Sequence, residues 1–257
     1  PLFGQRIVIT RARAQASDLL SKLSKLGAQC IEIPTIQIVS PEDTAPLKKS
    51  IKNIKDYDWL VFTSVNGVKF FFDTLFDMGR DVRVLGHLKF ACIGPVTKER
   101  LKNYGIISDI LPKTYRAESV IEAFSTVEIK DKKVLLPRAK QARTILPEEL
   151  TKMGAKVDDV TAYETRLNAD GKENLISLLE NNEIDAITFT SSSTVSNFMS
   201  LLESKDAKKL LKNVVTASIG PITSDTARSL DIEPDIEAKE YTIQGLVNSL
   251  LAYYEGK

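Results

Sequence analysis

Two short turns concentrate the residues of this chain that could hold a ligand. ACIGPVT begins at Ala91 and ASIGPIT at Ala217, about 126 residues further on. Each supplies a glycine for a tight turn (Gly94, Gly220) and a proline suited to the first turn of a helix, where no N–H is needed (Pro95, Pro221). Each also carries a threonine hydroxyl, Thr97 or Thr223. FTS occurs twice as well, ending at Ser64 and Ser191 and followed by Asn66 in one copy and by Ser192 and Ser193 in the other. Thr10-Arg11 and Pro137-Arg138 close two further apolar runs. Hydroxyls, guanidinium groups and the free N–H groups of helix starts are the means by which a protein grips an anion. Serine and threonine also cap helices without binding anything, and an arginine at such a place serves equally as a solvated surface group.

Other chemistries find few residues to work with. One histidine, His87, rules out a multi-histidine metal site and leaves a histidine-based triad without support. Cys30 and Cys92 each sit in an apolar run with no CxxC partner, which reads as buried thiols rather than nucleophiles or a disulfide. A net charge of +1 speaks against a broad nucleic-acid surface but leaves room for a local basic cleft. The opening PLFGQRIVIT lacks the basic segment and long apolar run of a secretion signal, and no stretch reaches the roughly 18 apolar residues that a membrane span requires. The expectation is a cytoplasmic protein without membrane contact.

The elements that must position these residues follow from repeats and periodicity. RIVITRARAQASDLLSKLSKLGA from Arg6 pairs with KVLLPRAKQARTILPEELTKMGA from Lys133, aligning Arg11 with Arg138 and Gly27 with Gly154. FTSVNGVKFF pairs with FTSSSTVSNF, and the stretch from Tyr115 with that from Tyr241. A constant order and nearly constant offset indicate an internal duplication of a unit of about 127 residues. In each half, short continuous apolar runs such as RIVIT, DWLVFTS and DAITFTS alternate with helical spacing, as in ASDLLSKLSKLG closed by Gly27. That alternation predicts an α/β fold of parallel sheets covered on both faces, with doubly wound, flavodoxin-like domains. The second strand regions, at 31–39 and 159–167, are longer than a buried strand needs, so they are expected to leave one sheet and enter the other. In such sheets ligands bind at the carboxyl ends of strands, where the polar repeats fall. A rim of this kind in each domain, the two facing across a cleft, would hold one large polyanion.

The ordered set TSVNGV, IGPVT, VLLPRA with RTILPEEL, AYET, TFTSSSTV, SIGPIT and a late YT resembles the uroporphyrinogen-III synthase family over essentially the whole chain. No one of these motifs is specific; their order is. The resemblance implies two flavodoxin-like domains joined by a two-stranded β-ladder, one built from residues 1–36 plus 168–257 and the other from 37–167. It implies cyclisation of hydroxymethylbilane, a linear tetrapyrrole, to uroporphyrinogen III, with loss of water and inversion of ring D through a spiro intermediate. It implies no cofactor and no metal, action as a monomer, and room for transient contact with the preceding enzyme of the pathway.

Within that resemblance Tyr163, in AYET, is the candidate acid for the departing hydroxyl. A phenol of ordinary pKa, about 10, is protonated at neutral pH and can donate. The competing reading is a buried tyrosine bonded to backbone. Its first-half counterpart, Ile36, is apolar, which suits an asymmetric role. Thr97 and Thr223 match hydroxyl positions of the family and lead the substrate-binding candidates, with Thr10, Arg11, Ser64, Asn66, Gly94, Arg138, Ser191, Ser192, Gly220 and Tyr241 beside them. Tyr115 occupies the place equivalent to Tyr241. The main alternative is a two-lobed α/β small-molecule-binding protein without catalysis. A nucleotide-sugar transferase would be longer and GxGxxG is absent, and a phospho-receiver would need an acidic cluster after its first strand.

Overall fold

The computed structural model describes residues 1–11, 13–114, 116–203 and 206–256, with residues 13–15 described in backbone only. From the N-terminus run β1 (Arg6–Ile9), α1 (Arg13–Lys25), β2 (Gln29–Glu32), β3 (Ile36–Val39), α2 (Ala45–Lys52), β4 (Trp59–Phe62), α3 (Val65–Asp77), β5 (Lys89–Cys92), α4 (Pro95–Lys102) and α5 (Ala117–Phe124). There follow β6 (Lys133–Ala139), α6 (Ile145–Lys152), β7 (Lys156–Leu167), α7 (Lys172–Glu180), β8 (Ala186–Phe189), α8 (Ser192–Leu202), α9 (Ala207–Leu210), β9 (Val215–Ser218), α10 (Pro221–Ser229), β10 (Ile236–Glu237) and α11 (Ile243–Glu255). Short 3-10 turns at Ile54–Asp56 and Val82–Leu85 complete the series.

Two compact units result. One comprises Pro1–Gln37 with Arg166–Lys257 and the other Ile38–Thr165. The chain therefore passes from the first to the second within β3 and returns within β7. The sheet of the first unit runs β10-β9-β8-β1-β2 with every neighbouring pair parallel. Counted along that unit's own chain the spatial order is 2-1-3-4-5, the flavodoxin-like order. The second sheet runs β3-β7-β6-β4-β5, with β7, β6, β4 and β5 parallel.

Burial on both faces explains why these strands read as unbroken apolar runs. Side chains alternate across a strand, and in β4 Trp59 and Val61 join one core with Phe124 and Leu146, while Leu60 and Phe62 join another with Phe71, Phe72 and Leu75. In β1 Val8 packs towards Leu175 and Phe198, and Ile7 and Ile9 pack towards Leu19 and Leu246. Leu19 and Leu23 of α1 are completely buried, and Gly27, at φ +94, ends that helix in a conformation glycine adopts without penalty.

One sequence expectation changes in detail. Residues 31–39 do not form one long strand: β2 stops at Glu32 and β3 starts at Ile36. Pro34 has no N–H to continue the ladder, and Thr35 turns back, its N–H and its hydroxyl donating to the Thr10 carbonyl at 3.1 and 3.2 Å. The counterpart β7 runs unbroken for 12 residues. At the β5 edge of the second sheet Ile110 adds an isolated parallel bridge to Ala91.

Tyr57, just before β4, donates to Asp158 Oδ2 of β7 at 2.5 Å. Burial first, and the bond to Asp158 second, push this phenol up to about 12. A raised folded value means that the proton is held more tightly in the folded state. The resulting stabilisation is intact below the unfolded value of about 10 and is lost as pH rises towards 12. Urea midpoints measured across this window should therefore fall more steeply for the wild type than for Tyr57→Phe, with Tyr254, also pushed to about 12 by burial, supplying the residual slope.

Candidate functional site

The carboxyl ends of the parallel strands meet helix starts in both units, and each unit is described by itself. In the second unit β4 ends at Phe62, and Ser64, in extended backbone, caps α3 by accepting from the Gly67 N–H at 2.9 Å. That cap depends on Gly67: a Cβ there would lie 2.7 Å from the Pro137 carbonyl oxygen, so only glycine lets the first turn of α3 rest on β6. The capping hydroxyl has a second partner. Ser64 Oγ and Tyr163 Oη share a hydrogen bond of 3.0 Å. Tyr163 stands on β7 opposite Ala139, is 8% exposed, and stacks on Phe70 with ring centroids 5.7 Å apart. Two of the sequence-derived candidates are thus joined, and the phenol is bonded to a side chain rather than to backbone. Asn66 lies half-buried in the same first turn of α3.

Both IGP turns start helices in the same way. Gly94 and Gly220 are the caps of α4 and α10, with Pro95 and Pro221 in the first turn. Thr97 and Thr223 are each 4% exposed, and neither hydroxyl makes a hydrogen bond among the described residues. Neither is sealed from solvent, so each presents an open donor and acceptor beside the free N–H groups of its helix start. Gly220 has a second reason to be glycine: a Cβ would lie 2.8 Å from Cδ1 of Tyr241, whose ring is 67% exposed and lies over the turn. Tyr115 falls outside the described residues.

Burial corrects other candidates. Thr10 is completely buried and its hydroxyl donates to the Thr188 carbonyl at 2.7 Å, so it ties β1 to β8 and offers nothing to a ligand. Arg11 follows it, half-buried. Ser191 and Thr194 form a reciprocal cap at the start of α8, and the Ser192 hydroxyl donates to the Ile222 carbonyl at 3.1 Å, binding the start of α8 to that of α10. Arg138, expected as a free guanidinium, is 5% exposed: Nε donates to Asp159 Oδ1 at 2.7 Å, Nη2 donates to Asp159 Oδ2, and Nη1 donates to the Arg143 carbonyl at 2.6 Å.

Sequence reasoning missed a pocket of about 460 Å³ at the carboxyl ends of β4, β5 and β6. Arg116, at the start of α5, and Arg143, just before α6, line it together with Arg138. The available signal was an arginine five positions after Arg138, in the connection between a strand and a helix; only the fold brings Arg116 to the same place. Burial pushes the Cys92 thiol up to about 11 and raises that of half-buried Cys30, so neither is a thiolate nucleophile at neutral pH. Among the described residues no group of three or more His, Cys, Asp or Glu side chains could hold a metal ion.

The family model described as "Uroporphyrinogen-III synthase HemD" matches residues 17–248. The uroporphyrinogen-III synthase of Synechococcus elongatus is 34% identical over 251 residues, covering 96% of this chain and 94% of that protein. The "Porphyrin biosynthesis protein HemD" of Ruminiclostridium josui is 31% identical over 98% of this chain, which spans about half (49%) of that longer protein. Among solved structures, a mutant uroporphyrinogen III synthase of the extreme thermophile Thermus thermophilus superposes with a TM-score of 0.60 at 16% identity, covering 99% of this chain and 100% of that one, and so shares the fold.

Two outcomes test the local geometry by urea unfolding. Gly67→Ala should cost about 1–3 kcal/mol, because the neighbour it meets is backbone. Tyr163→Phe should cost about 1 kcal/mol and Ser64→Ala about 1 kcal/mol more than that, since it also removes a cap. The double variant should fall short of the sum; strict additivity would show that the 3.0 Å bond contributes nothing.

Proposed function

Because the chain belongs to the uroporphyrinogen-III synthase family, we propose that it cyclises hydroxymethylbilane to uroporphyrinogen III, with loss of water and inversion of ring D. The observation that carries the mechanistic reading is the placement of Tyr163: hydroxyl on Ser64, ring on Phe70, at the carboxyl edge of a parallel sheet. The terminal hydroxymethyl C–O bond breaks with push from the pyrrole nitrogen. The departing oxygen takes a proton and leaves as water. Tyr163 is the donor in this reading; Ser64, bonded to it, aligns the phenol and donates its own O–H to the phenolate once the proton has left, and the proton released when the last pyrrole re-aromatises after closure restores the phenol.

Closure then occurs at the substituted carbon of ring D, giving the spiro intermediate from which the inverted ring forms. The reactive end of the substrate would close unaided on the nearer, unsubstituted carbon, so the protein's main task is orientation. In the second unit the start of α4 and the Thr97 hydroxyl are the proposed contacts for acetate and propionate arms, and in the first unit the start of α10, the Thr223 hydroxyl and the Tyr241 ring beside Gly220 offer the same chemistry. Ser191 and Ser192 support the rim by fixing the starts of α8 and α10. We place this reaction in the cytoplasm, where the enzyme that makes hydroxymethylbilane would deliver it; among the described residues no helix is long and apolar enough to cross a membrane.

The test is to supply freshly generated hydroxymethylbilane, oxidise the products and separate uroporphyrin isomers I and III. Isomer III should predominate over the no-enzyme control, and Tyr163→Phe should lower kcat by about 100-fold, the lower end for an acid whose leaving group is already assisted. Isomer I alone from a folded sample would favour the two-lobed binding reading, and an unchanged kcat would remove Tyr163 as the acid.

A further inference from the structure

We propose that the arginine-lined pocket of the second unit binds a carboxylate-bearing pyrrole ring of the substrate, with Arg116 and Arg143 taking the carboxylate. The inference rests on the reaction proposed above and adds two residues that were not among the sequence-derived site candidates, although Arg143 opens the RTILPEEL motif. Arg116 and Arg143 are exposed on the pocket wall, and neither guanidinium makes a hydrogen bond or ion pair among the described residues. Two unneutralised cations on one wall repel each other, an arrangement that an arriving anion relieves. Glu118 is the one acidic residue on the lining, and Arg138 is matched by Asp159, so the lining remains positive.

Arg138 has a distinct part. Its bidentate pair with Asp159 fixes a guanidinium that is only 6% exposed, and its remaining bond, from Nη1 to the Arg143 carbonyl, pins the connection that carries Arg143. The buried arginine therefore preorganises the exposed one, lowering the entropy lost when Arg143 closes on a ligand. Carboxylates suit this arrangement because a guanidinium bonds both oxygens at once. The start of α5 adds backbone donors: Arg116 is its cap residue, makes no side-chain cap, and leaves the first-turn N–H groups at Ala117 and Glu118 without helical partners. The rest of the lining, including Ile93, Ala117 and Leu146, is apolar and matches the face of a pyrrole. At about 460 Å³ the pocket falls within the ~300–1,000 Å³ typical of small-molecule sites and exceeds the needs of a lone inorganic anion.

The experiment uses the full chain with Arg116→Gln, Arg143→Gln, the double variant and Arg143→Lys. Isomer III formation gives kcat and KM at several salt concentrations, and quenching of the single tryptophan, Trp59, by uroporphyrin reports binding directly. Each glutamine variant should raise KM about tenfold and the double variant by up to about 100-fold, with kcat nearly unchanged. KM should also lose part of its salt dependence in the glutamine variants, and Arg143→Lys should recover part of the affinity. Isomer III formation with unchanged KM in the double variant overturns the pocket while leaving the reaction intact. If the wild type makes only isomer I, the reaction fails but uroporphyrin quenching still decides: binding weakened by the double substitution supports the pocket, and equal binding overturns it.

Discussion

A contact with no room for a methyl group organises the better-defined of the two rims. The first turn of α3 rests on the backbone of β6 so closely that a Cβ on Gly67 would lie 2.7 Å from the Pro137 oxygen. Pro137 is suited to its side of that contact. The parallel register of β6 with β4 ends at Leu135, so a residue without an N–H at 137 removes no bond from that ladder, while its carbonyl faces the incoming helix. Once α3 is set at this depth, Ser64 falls where its hydroxyl can cap the helix and meet Tyr163, and Phe70 falls against the phenol ring. A backbone approach, a cap and a ring stack thus converge on one hydroxyl. None of the three alone would hold it.

The proposed anion binding follows the same economy. A chain with a net charge of +1 cannot surround a polyanion with lysines and arginines, and it does not need to. Helix starts at the ends of parallel strands carry free N–H groups and the positive end of the helix dipole at no cost in net charge. In α4 and α10 a proline occupies the first turn, where its missing N–H is not required, and a threonine hydroxyl two residues later stays unbonded and reaches solvent. One pocket of the second unit adds guanidinium groups to this, and there a buried arginine committed to Asp159 fixes the backbone of an exposed one.

Much of the fold was legible because apolar burial and helix periodicity are local signals. Continuous runs such as WLVF and AITF could only be strands covered on both faces, and they are. The break at Ile33-Pro34-Thr35 was harder: a proline within a β-branched run is compatible with an edge strand as well as with a crossing, and what decides is the pairing of Thr35 with Thr10, which lies 25 positions earlier. At the candidate site residue types were readable but exposure was not. Thr10 and Arg138 have the chemistry of ligand groups and spend it on Thr188 and Asp159, partners that only the assembled sheets bring near. Arg116 was invisible for the complementary reason: it precedes an ordinary helix, and its relation to Arg143 exists only because α5 and α6 start at the same end of one sheet.

The burial of Tyr163 bears on what kind of acid it would be in the proposed reaction. An exposed phenol would be free to follow a leaving group but would have to be ordered at each turnover, whereas one 8% exposed and stacked on Phe70 is ordered in advance. Preordering matters most when the chemical demand on the acid is small. In the proposed reaction the pyrrole nitrogen supplies most of the push, so the donor need only meet the departing oxygen at one place. A donor fixed in this way also restricts where the cation is generated. A cation formed while ring D is already held cannot close on the nearer carbon, and selectivity for isomer III then depends on the rigidity of the rim as much as on the acidity of any group upon it.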